Sequence, residues 1–392
     1  MKINNLTRPV WAEINLDNLA NNIREVKRSV KEGTIVTAVI KADGYGHGAI
    51  EIADTLLENG ADRFAVATLS EAIQLRSKFK DIEILLLGYT PTYSAKDVII
   101  NNITQTVYSL SQAIDFSVSA KELNKKVKLH IKLDTGMNRL GMEISEKTVE
   151  EIEKISKLTN VEIEGIFTHF AVADEENKEY TYRQVEKYNF IIEELEKREI
   201  FIPIKHVSNS AAIIDMKDLN FNMVRAGIML YGLYPSNDVI KKNVNLKEVM
   251  SLKAQLSHVK EVEENTGISY GLIYKTDSKK KIGTLPLGYA DGFTRMYTGK
   301  AKGIVDGKIM PIVGRICMDQ CMIDLTGTSA KVGDEVILFG KKEGNEVTID
   351  EVSKYIGTIN YEVVCMINKR VPRVYIEHGK VKKIRDYILD LI

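Results

Sequence analysis

Eight short apolar segments alternate with helical patterns between residues 34 and 225, and this alternation restricts the fold more than any other feature of the chain. The first of them is rich in β-branched residues and mostly apolar over residues 34–40, which is typical of a strand buried on both faces. The segments are 34–41, 63–69, 83–88, 104–108, 127–134, 161–169, 204–208 and 222–225. Strands that alternate with helices predict a parallel sheet, and eight such units predict a closed (β/α)₈ TIM-like barrel.

The remaining sequence predicts a second domain built mostly of strands. Helical periodicity largely ends after Pro235, and short β-rich segments separated by turn signals follow at 250–262, 281–286, 301–305, 309–316, 321–324 and 335–339. The segment 10–16 also predicts a strand, but it would be a ninth strand in the barrel, so we expect it to pair with the second domain. The predicted organisation is an α/β barrel at 1–240 followed by an all-β domain at 241–392, with one short helix at 349–356.

Composition excludes several classes of function. The 54 basic and 54 acidic residues give a formal charge of zero, which argues against a nucleic-acid or membrane-surface partner. Because no segment is long and apolar enough for a membrane span or a signal peptide, we expect a cytoplasmic protein. Three cysteines among 392 residues are neither a disulfide framework nor a zinc ligand set, and we expect most of them to be packed in the core as free thiols.

A lysine stands at the end of the first barrel segment, in the sequence VIKADGYGHG at 39–48. In a closed α/β barrel, active-site residues collect at the C-terminal ends of the strands. Most lysines that end a strand are solvated, so Lys41 alone is weak support for catalysis. The surrounding glycines let the backbone turn sharply and approach a ligand closely.

Polar residues also end several of the later barrel segments. Ser210 and the Gly227-Ile228 pair follow the seventh and eighth segments, where barrels often bind phosphate through loop amides. A lysine opposite a phosphate site suggests pyridoxal 5′-phosphate (PLP), whose aldehyde reacts with a lysine amine. His169 and His206 could instead be core histidines with satisfied hydrogen bonds.

Several separated motifs resemble the alanine racemases, in matching order and over essentially the whole chain. The motifs are residues 39–48, 130–141, 209–211, 225–228, 269–271, 288–292, 314–320 and 360–362. The resemblance implies a PLP-dependent racemase that interconverts L-alanine and D-alanine, and so supplies D-alanine for the peptidoglycan of the bacterial cell wall. It also implies a head-to-tail homodimer whose active sites are shared between subunits.

The resemblance assigns roles around the cofactor. Lys41 would form the internal aldimine, Arg225 would meet the pyridine nitrogen, His169 would lie against the ring, and Arg139 would contact the phenolic oxygen. Lys132 matches a position that is often carbamylated in the family, and the carbamate would orient Arg139; without the resemblance, Lys132 could be an inward-pointing lysine neutralised by a nearby acid. The residues that would hold the phosphate or lie beside it are Tyr45, Asn209, Ser210, Gly227, Ile228 and Tyr361.

A second set of residues would enter from the partner subunit. Tyr270 would exchange a proton with one face of the substrate Cα, and the cofactor lysine would serve the opposite face. Tyr289 would contact the substrate, and Met318 would bind its carboxylate through the backbone amide. Cys317 and Asp319 would support that wall of the site.

Alternative functions are less consistent with these residues. PLP decarboxylases of the ornithine or diaminopimelate type use a glutamate at the pyridine nitrogen and a cysteine across the dimer, where this chain has Arg225 and Tyr270. A non-catalytic PLP-binding protein would not need the second domain. A broader small amino-acid racemase that also accepts serine stays open, although Tyr361 matches a family position where tyrosine accompanies preference for alanine.

Overall fold

A computed structural model describes residues 6–389, and these residues form two compact units. The barrel unit comprises Leu19–Gly44 and Ala49–Lys247, and the strand unit comprises residues 6–18, 45–48 and 248–389. No helix within residues 6–389 is long and apolar enough to cross a membrane.

The chain begins in the strand unit with β1 (Val10–Asn15), which is followed by α1 (Leu16–Ser29). Strand β1 pairs antiparallel with residues 250–254 and parallel with residues 373–376, both of which belong to the strand unit. Trp11 and Ile14 on β1 are almost completely buried. Segment 10–16, which would have been a ninth strand of the barrel, therefore forms an interior strand of the sheet in the strand unit.

The barrel unit contains eight parallel strands, which confirms the predicted fold class. They are β2 (Ile35–Val39), β3 (Arg63–Val66), β4 (Ile84–Leu86), β5 (Thr104–Val107), β6 (Val127–Lys132), β7 (Val161–Phe167), β8 (Ile204–His206) and β9 (Met223–Ala226). The sheet order is β8-β7-β6-β5-β4-β3-β2-β9. The Arg225 N–H donates to the Ser208 carbonyl at 3.1 Å and the Asn222 N–H to the Lys205 carbonyl at 3.2 Å, so backbone hydrogen bonds also link the regions of β8 and β9.

Helices follow most of these strands, and side chains in the preceding turns cap several of them. The segments are the short turn α2 (Lys41–Tyr45), and α3 (Ala49–Glu58), α4 (Leu69–Lys78), α5 (Ala95–Ile100), α6 (Leu110–Glu122), α7 (Glu146–Ser156), α8 (Glu179–Lys197) and α9 (Ser210–Asp215). Ser109 caps α6 and Ser145 caps α7 through their hydroxyl oxygens. These caps satisfy N–H groups that the first helical turn leaves without intrahelical partners.

The strand unit is built on one large mixed sheet. Its strands are β10 (Met250–Gln255), β11 (His258–Val262), β14 (Lys280–Leu285), β15 (Lys302–Val305), β16 (Lys308–Val313), β17 (Cys321–Asp324), β18 (Glu335–Lys342), β19 (Asn345–Val347), β20 (Arg373–Glu377) and β21 (Lys380–Arg385), and a separate two-stranded sheet pairs β12 (Gly267–Ile268) with β13 (Tyr274–Lys275). The order is β11-β14-β17-β16-β15-β18-β10-β1-β20-β21, and β19 pairs with β18.

Three expectations about the C-terminal half are wrong in detail. The segment 250–262 forms two strands, because β10 pairs with β1 and β18 whereas β11 pairs with β14. Two helices are present, α10 (Ile349–Lys354) and α11 (Asn360–Met366), where one was expected. Most of the cysteines were expected to be packed in the core, but only Cys321 is buried; Cys317 is half-buried and Cys365 is exposed.

Candidate active site

Lys41 begins a left-handed turn just beyond the C-terminal end of β2. Ala42 and Asp43 have φ values of 51° and 52°. A left-handed backbone costs a residue other than glycine about 1–2 kcal/mol. Two side chains support this turn: the Ala42 N–H donates to Glu71 Oε1 at 2.6 Å, and Asp43 Oδ1 accepts from the Ala49 N–H at 2.9 Å. The backbone direction after Lys41 is therefore fixed by the fold rather than by local preference.

His169 lies among four cationic side chains of the barrel unit. Burial lowers the pKa of His169 well below its ordinary value, and the nearby charges of Arg225, Arg139, Lys132 and Lys41 lower it further. His169 is therefore a neutral imidazole at physiological pH. This concentration of positive charge suits an anionic ligand that carries phosphate, phenolate or carboxylate groups.

Arg225 is the most buried of these cations, with 3% of its surface exposed. Its Nη1 donates to His206 Nδ1 at 2.6 Å. Its Nη2 donates to the Thr168 carbonyl at 2.8 Å and to the Val207 carbonyl at 3.1 Å. The same Nη2 lies 3.3 Å from His169 Nδ1. Its Nε–H has no hydrogen-bond acceptor among residues 6–389. Burial lowers the pKa of Arg225 to about 10, so the guanidinium stays charged at neutral pH.

Ser210 joins the start of α9 to the segment after β9. Its Oγ accepts from the Gly227 N–H at 3.0 Å and lies 3.5 Å from the Met229 nitrogen. Asn209 caps α9 through its Oδ1, which accepts from the N–H of Ala212 at 3.1 Å. Three of the predicted phosphate residues, Asn209, Ser210 and Gly227, thus lie together, and Ile228 follows directly and is buried.

Lys132 ends β6 and is 5% exposed. Its Nζ donates to the Leu133 carbonyl at 2.6 Å. Burial lowers the pKa of Lys132 to about 7; the charges of Arg225 and Arg139 lower it too, whereas Asp134 raises it. Arg139 is exposed and makes no hydrogen bond or ion pair with any residue that the structure describes.

The other two predicted phosphate residues, Tyr45 and Tyr361, belong to the strand unit. Their ring centroids lie 6.2 Å apart with the planes tilted by 51°. Tyr45 is 8% exposed, and burial raises the pKa of its phenol, followed by the charge of Cys365. Its hydroxyl therefore stays protonated and can donate a hydrogen bond.

The residues assigned to the partner's site lie on exposed loops of the strand unit. The exposed fractions are 70% for Tyr270, 53% for Met318 and 42% for Tyr289. The loops that carry Tyr289 and Met318 are joined by backbone hydrogen bonds: the Tyr289 N–H donates to the Cys317 carbonyl and the Ala290 N–H to the Met318 carbonyl, both at 3.0 Å. A Cβ on Gly288 would lie 2.2 Å from the Cys317 carbonyl oxygen, so this close contact requires glycine.

A network of acids and arginines supports these loops, and sequence reasoning missed most of it. Asp291 is completely buried, and its Oδ2 accepts from Arg8 Nη2 at 2.7 Å and from the Gly288 N–H at 3.0 Å. Arg370 Nη2 donates to Asp319 Oδ1 at 2.8 Å. The supporting role of Asp319 beside Met318 stays a prediction. The sequence signal for Asp291 was the acid inside the GYADG motif at 288–292.

A second missed group lies behind Arg225 inside the barrel unit. His130, Glu164 and His206 are buried and joined by hydrogen bonds of 2.8 and 2.9 Å, and His206 contacts Arg225. The signal was an acid and two histidines within predicted buried strands, but their contacts depend on strand register. His206 is therefore a core histidine, as the alternative interpretation of the sequence allowed, although it is bonded to a predicted site residue.

Comparisons with known proteins agree with this arrangement. The family model for the alanine racemase N-terminal domain matches residues 14–235, and the model for the C-terminal domain matches residues 249–375. Alanine racemase 1 of Clostridium acetobutylicum is 50% identical over 97% of this chain and 99% of its own length. The alanine racemase structure from Clostridium difficile 630 is 49% identical, with a TM-score of 0.95 over 98% of this chain and 100% of that one. The Bartonella henselae alanine racemase structure, which contains covalently bound pyridoxal phosphate, is 28% identical, with a TM-score of 0.84 over 94% of this chain and 99% of that one. The chain belongs to the alanine racemase family.

Proposed function

We propose that this protein is an alanine racemase, which interconverts L-alanine and D-alanine with PLP as its cofactor. The observation that carries the proposal is the buried Arg225, which lies against His169 in a site that also contains Lys41 and Lys132. A PLP decarboxylase would be expected to present a glutamate at this position. Full-length similarity to alanine racemases supports the same conclusion.

The residues present fit PLP. The Ser210 hydroxyl and the backbone N–H group of Ile228, which follows Gly227, are suitable partners for a phosphate. The cations around His169 suit the phenolic oxygen and the substrate carboxylate. The Nε–H of Arg225, which has no acceptor among residues 6–389, is a suitable partner for the ring nitrogen. When bound, PLP supplies an aldehyde that joins the substrate amine and a ring that withdraws electrons from Cα.

Racemisation requires a proton to leave one face of the substrate Cα and another to arrive on the opposite face. We assign Lys41 to one face, where its amine accepts or delivers the proton, and the Oη of Tyr270 from a second copy of the chain to the other. A free phenol has a pKa near 10, so it needs hydrogen-bond donors to act as a base. His169 accepts from Arg225 at Nδ1, so its proton is on Nε2, where it is available to the Tyr270 oxygen.

Arg225 also limits side reactions. A charged guanidinium only donates hydrogen bonds, so Arg225 would leave the nitrogen of a bound ring without a proton. Such a ring would withdraw electrons from Cα only weakly, and the residue on the opposite face would return a proton to Cα quickly. We therefore expect little transamination.

Exposure of the loop residues supports a homodimer with shared active sites. Tyr270 and Met318 are more than half exposed, although the resemblance places both against the substrate. A large tyrosine and a methionine on one surface suit burial against another protein. In this arrangement the backbone amide of Met318 binds the substrate carboxylate and Tyr289 contacts the substrate. Cys317 and Asp319 keep Met318 in place.

The neutral amine of Lys132 supports its carbamylation. Carbamylation requires a neutral amine, which attacks carbon dioxide and releases one proton. A pKa of about 7 makes that form abundant near neutral pH. Carbon-13 NMR of the folded protein prepared in labelled bicarbonate tests this step, because a lysine carbamate loses carbon dioxide when the protein is denatured or acidified. A carbamate signal that is present in the wild type and absent in Lys132→Met is expected, and its absence from the wild type would contradict the step.

The experiment for the overall proposal is chiral chromatography of L-alanine incubated with the PLP-loaded protein. The proposal predicts approach to an equal mixture of L-alanine and D-alanine. Release of carbon dioxide from ornithine or diaminopimelate would indicate a decarboxylase, and firmly bound PLP with no product from any of these amino acids would indicate a binding protein.

A further inference from the structure

Behind Arg225, three buried side chains continue its hydrogen bonding away from the predicted cofactor site. His206 Nε2 lies 2.8 Å from His130 Nδ1, and His130 Nε2 lies 2.9 Å from Glu164 Oε2. His130 and His206 are completely buried, and Glu164 is 7% exposed. Together with Arg225 they form a continuous line of four residues, which we call the buried chain.

The backbone is shaped to hold this line. The pairing of β6 with β7 shifts register between Leu129 and His130. A Cβ on Gly165 would lie 2.5 Å from the His130 ring, so the imidazole occupies space that only a glycine leaves open. Phe167 stacks on the His206 ring at 4.6 Å with an interplanar angle of 9°. Both imidazoles are thus fixed in place and cannot rotate to exchange their nitrogens without moving neighbouring atoms.

The proton positions in the buried chain follow from its two ends. Arg225 can only donate, so His206 Nδ1 accepts and His206 carries its proton on Nε2. That proton is donated to His130 Nδ1, so His130 carries its own proton on Nε2 and donates it to Glu164. A neutral imidazole has one donor and one acceptor nitrogen, so this is the arrangement that satisfies every contact.

The ionisation states of His130, His206 and Glu164 agree with these proton positions. Burial lowers the pKa of His130 to about 4 and that of His206 well below its ordinary value, so both rings are neutral at physiological pH. Burial alone would raise the pKa of Glu164, but the hydrogen bond from His130 and the charge of Arg63 hold it well below its usual range. Arg63 Nη2 is 2.8 Å from Glu164 Oε2, and Lys128 Nζ is 3.1 Å from Oε1.

We infer that Glu164 is a positioning residue for the racemase reaction: as the terminal acceptor of the buried chain, it sets the tautomers of His130 and His206 and thereby holds Arg225 in the orientation that faces the cofactor. Without this acceptor, the His130 N–H is left unsatisfied. If both imidazoles exchanged tautomers instead, the His206 Nδ1–H would face the Arg225 Nη1–H, donor against donor. In either case, the Arg225 guanidinium is held less firmly in its orientation. The inference rests on the proposed function, because it assigns Arg225 to the cofactor.

The test compares Glu164→Ala with Glu164→Gln and with a control, Glu83→Ala. Both Glu164 variants remove the charge opposite Arg63, but an amide oxygen at 164 can still accept from His130. Glu83 shares Lys128 with Glu164, its Oε1 lying 2.8 Å from the Lys128 Nζ, and no hydrogen bond joins it to His130 in the described part of the chain. Glu83→Ala therefore perturbs the same lysine without shortening the buried chain.

The first readout is nitrogen-15 NMR of the holoenzyme with labelled histidine, which reports the protonated nitrogen of each ring. The chain contains 6 histidines, so assignment by single substitutions is practical. The inference predicts that His130 and His206 are both protonated at Nε2 in the wild type, in Glu164→Gln and in Glu83→Ala. It predicts that Glu164→Ala loses this tautomer at one or both rings.

The second readout is kcat for L-alanine. Glu164→Ala should lower kcat about tenfold or more, as expected when one buried N–H loses its acceptor, whereas Glu164→Gln should recover most of the loss and Glu83→Ala should not differ from wild type. Thermal stability should fall in both Glu164 variants, because both lose the charge opposite Arg63. A change in thermal stability therefore does not distinguish a positioning role of Glu164 from a purely structural one.

Three results would overturn the inference. They are a proton on Nδ1 of His130 or His206 in the wild type, unchanged tautomers and kcat in Glu164→Ala, and equal losses of kcat in Glu164→Gln and Glu164→Ala. If Glu164→Ala does not fold, the inference stays open to contradiction by a proton on Nδ1 of either ring in the wild type or in Glu164→Gln, or by a large loss of kcat in Glu164→Gln. The failure of the proposed function is distinguishable, because absence of racemisation would leave the wild-type tautomers as predicted.

Discussion

Nη2 of Arg225 lies 3.3 Å from Nδ1 of His169, and because an arginine only donates hydrogen bonds, this contact fixes the His169 proton on Nε2. The imidazole is neutral, since burial and the surrounding cations hold its pKa well below its ordinary value. The site thus presents a neutral N–H donor backed by a buried positive charge. That combination can stabilise a phenolate without itself losing a proton.

Replacement of Lys41 by alanine should abolish racemisation. Loss of a positioned acid–base group typically costs a factor of about 10²–10⁴, and Lys41 is also assigned as the covalent partner of PLP. Borohydride reduction of the wild type should attach PLP to the peptide that carries Lys41. The control is Lys31→Ala, an exposed lysine ahead of β2, which should keep both activity and labelling. Labelling at another lysine, or normal racemisation by Lys41→Ala without added amines, would contradict the assignment.

In protein prepared free of carbon dioxide, where the Lys132 amine is not carbamylated, Lys132 should make stability depend on pH. Its pKa is about 7 in the folded protein, against an ordinary value of 10.5, so between these values the unfolded chain binds more protons and stability rises with pH. Lys132→Met removes this dependence. From pH 7 to pH 9, the free energy of unfolding of the wild type should rise by about 2 kcal/mol relative to Lys132→Met. Urea unfolding of both proteins at a fixed protein concentration measures this difference in free energy at each pH. A constant difference would show that the side chain does not titrate in this range, as a stable carbamate would not.

Ser210→Ala should weaken PLP binding. The substitution removes a hydroxyl that donates to the phosphate in the proposed site, and a hydrogen bond to a charged group is worth about 1.5–3 kcal/mol, or roughly tenfold or more in the dissociation constant. Ser208→Ala is the matched control, because Ser208 is also buried but bonds the Leu219 carbonyl. Fluorescence titration of the apoprotein with PLP measures both. Equal weakening by the two variants would remove Ser210 from the phosphate site.

Tyr361→Ala should broaden the substrate range. A pocket enlarged by removal of a ring should improve kcat/KM for serine relative to alanine by about 10–200-fold, the range that small differences in side-chain size produce. Tyr361→Phe keeps the ring and should keep the preference for alanine. Competition between the two amino acids gives the ratio directly. If Tyr361→Ala retains the wild-type ratio, another residue limits substrate size.

The barrel strands were predictable because their apolar, β-branched runs end abruptly in polar residues or glycine. The predicted C-terminal ends of the strands were less accurate. The segment 34–41 was expected to be extended up to Lys41, but β2 ends at Val39. The left-handed turn at Ala42 and Asp43 accounts for the difference. Neither residue favours positive φ locally, and the support from Glu71 is a contact between elements that a local pattern does not contain.

Candidate site residues that lie in a recognisable motif could be predicted from the sequence. Residues whose contacts depend on packing between elements were harder to predict. Strand ends and family resemblance predicted Ser210, Gly227 and Arg225, and the structure places the Ser210 hydroxyl beside the Gly227 N–H. Glu164 was not predicted, because its role depends on a register shift between β6 and β7 and on the space that Gly165 leaves for a histidine ring. The same limitation applies to Arg8, which is remote in sequence from Asp291 but paired with it.

The shared active site can be tested by mixing subunits. Lys41→Ala and Tyr270→Phe are each expected to be inactive as homodimers. A mixed dimer contains one site with both defects and one with neither, so activity should return in part after the two proteins are unfolded and refolded together. No recovery in a verified mixed dimer would mean that each site takes Lys41 and Tyr270 from the same chain.

The central claim is that Lys41 and Tyr270 serve opposite faces of the substrate Cα. The most direct measurement is the exchange of the Cα hydrogen of L-alanine and of D-alanine with deuterated water, followed by NMR in Tyr270→Phe loaded with PLP. The account predicts that one enantiomer continues to exchange through Lys41 while exchange of the other falls by at least about a hundredfold. Exchange of both enantiomers at wild-type rates would contradict it.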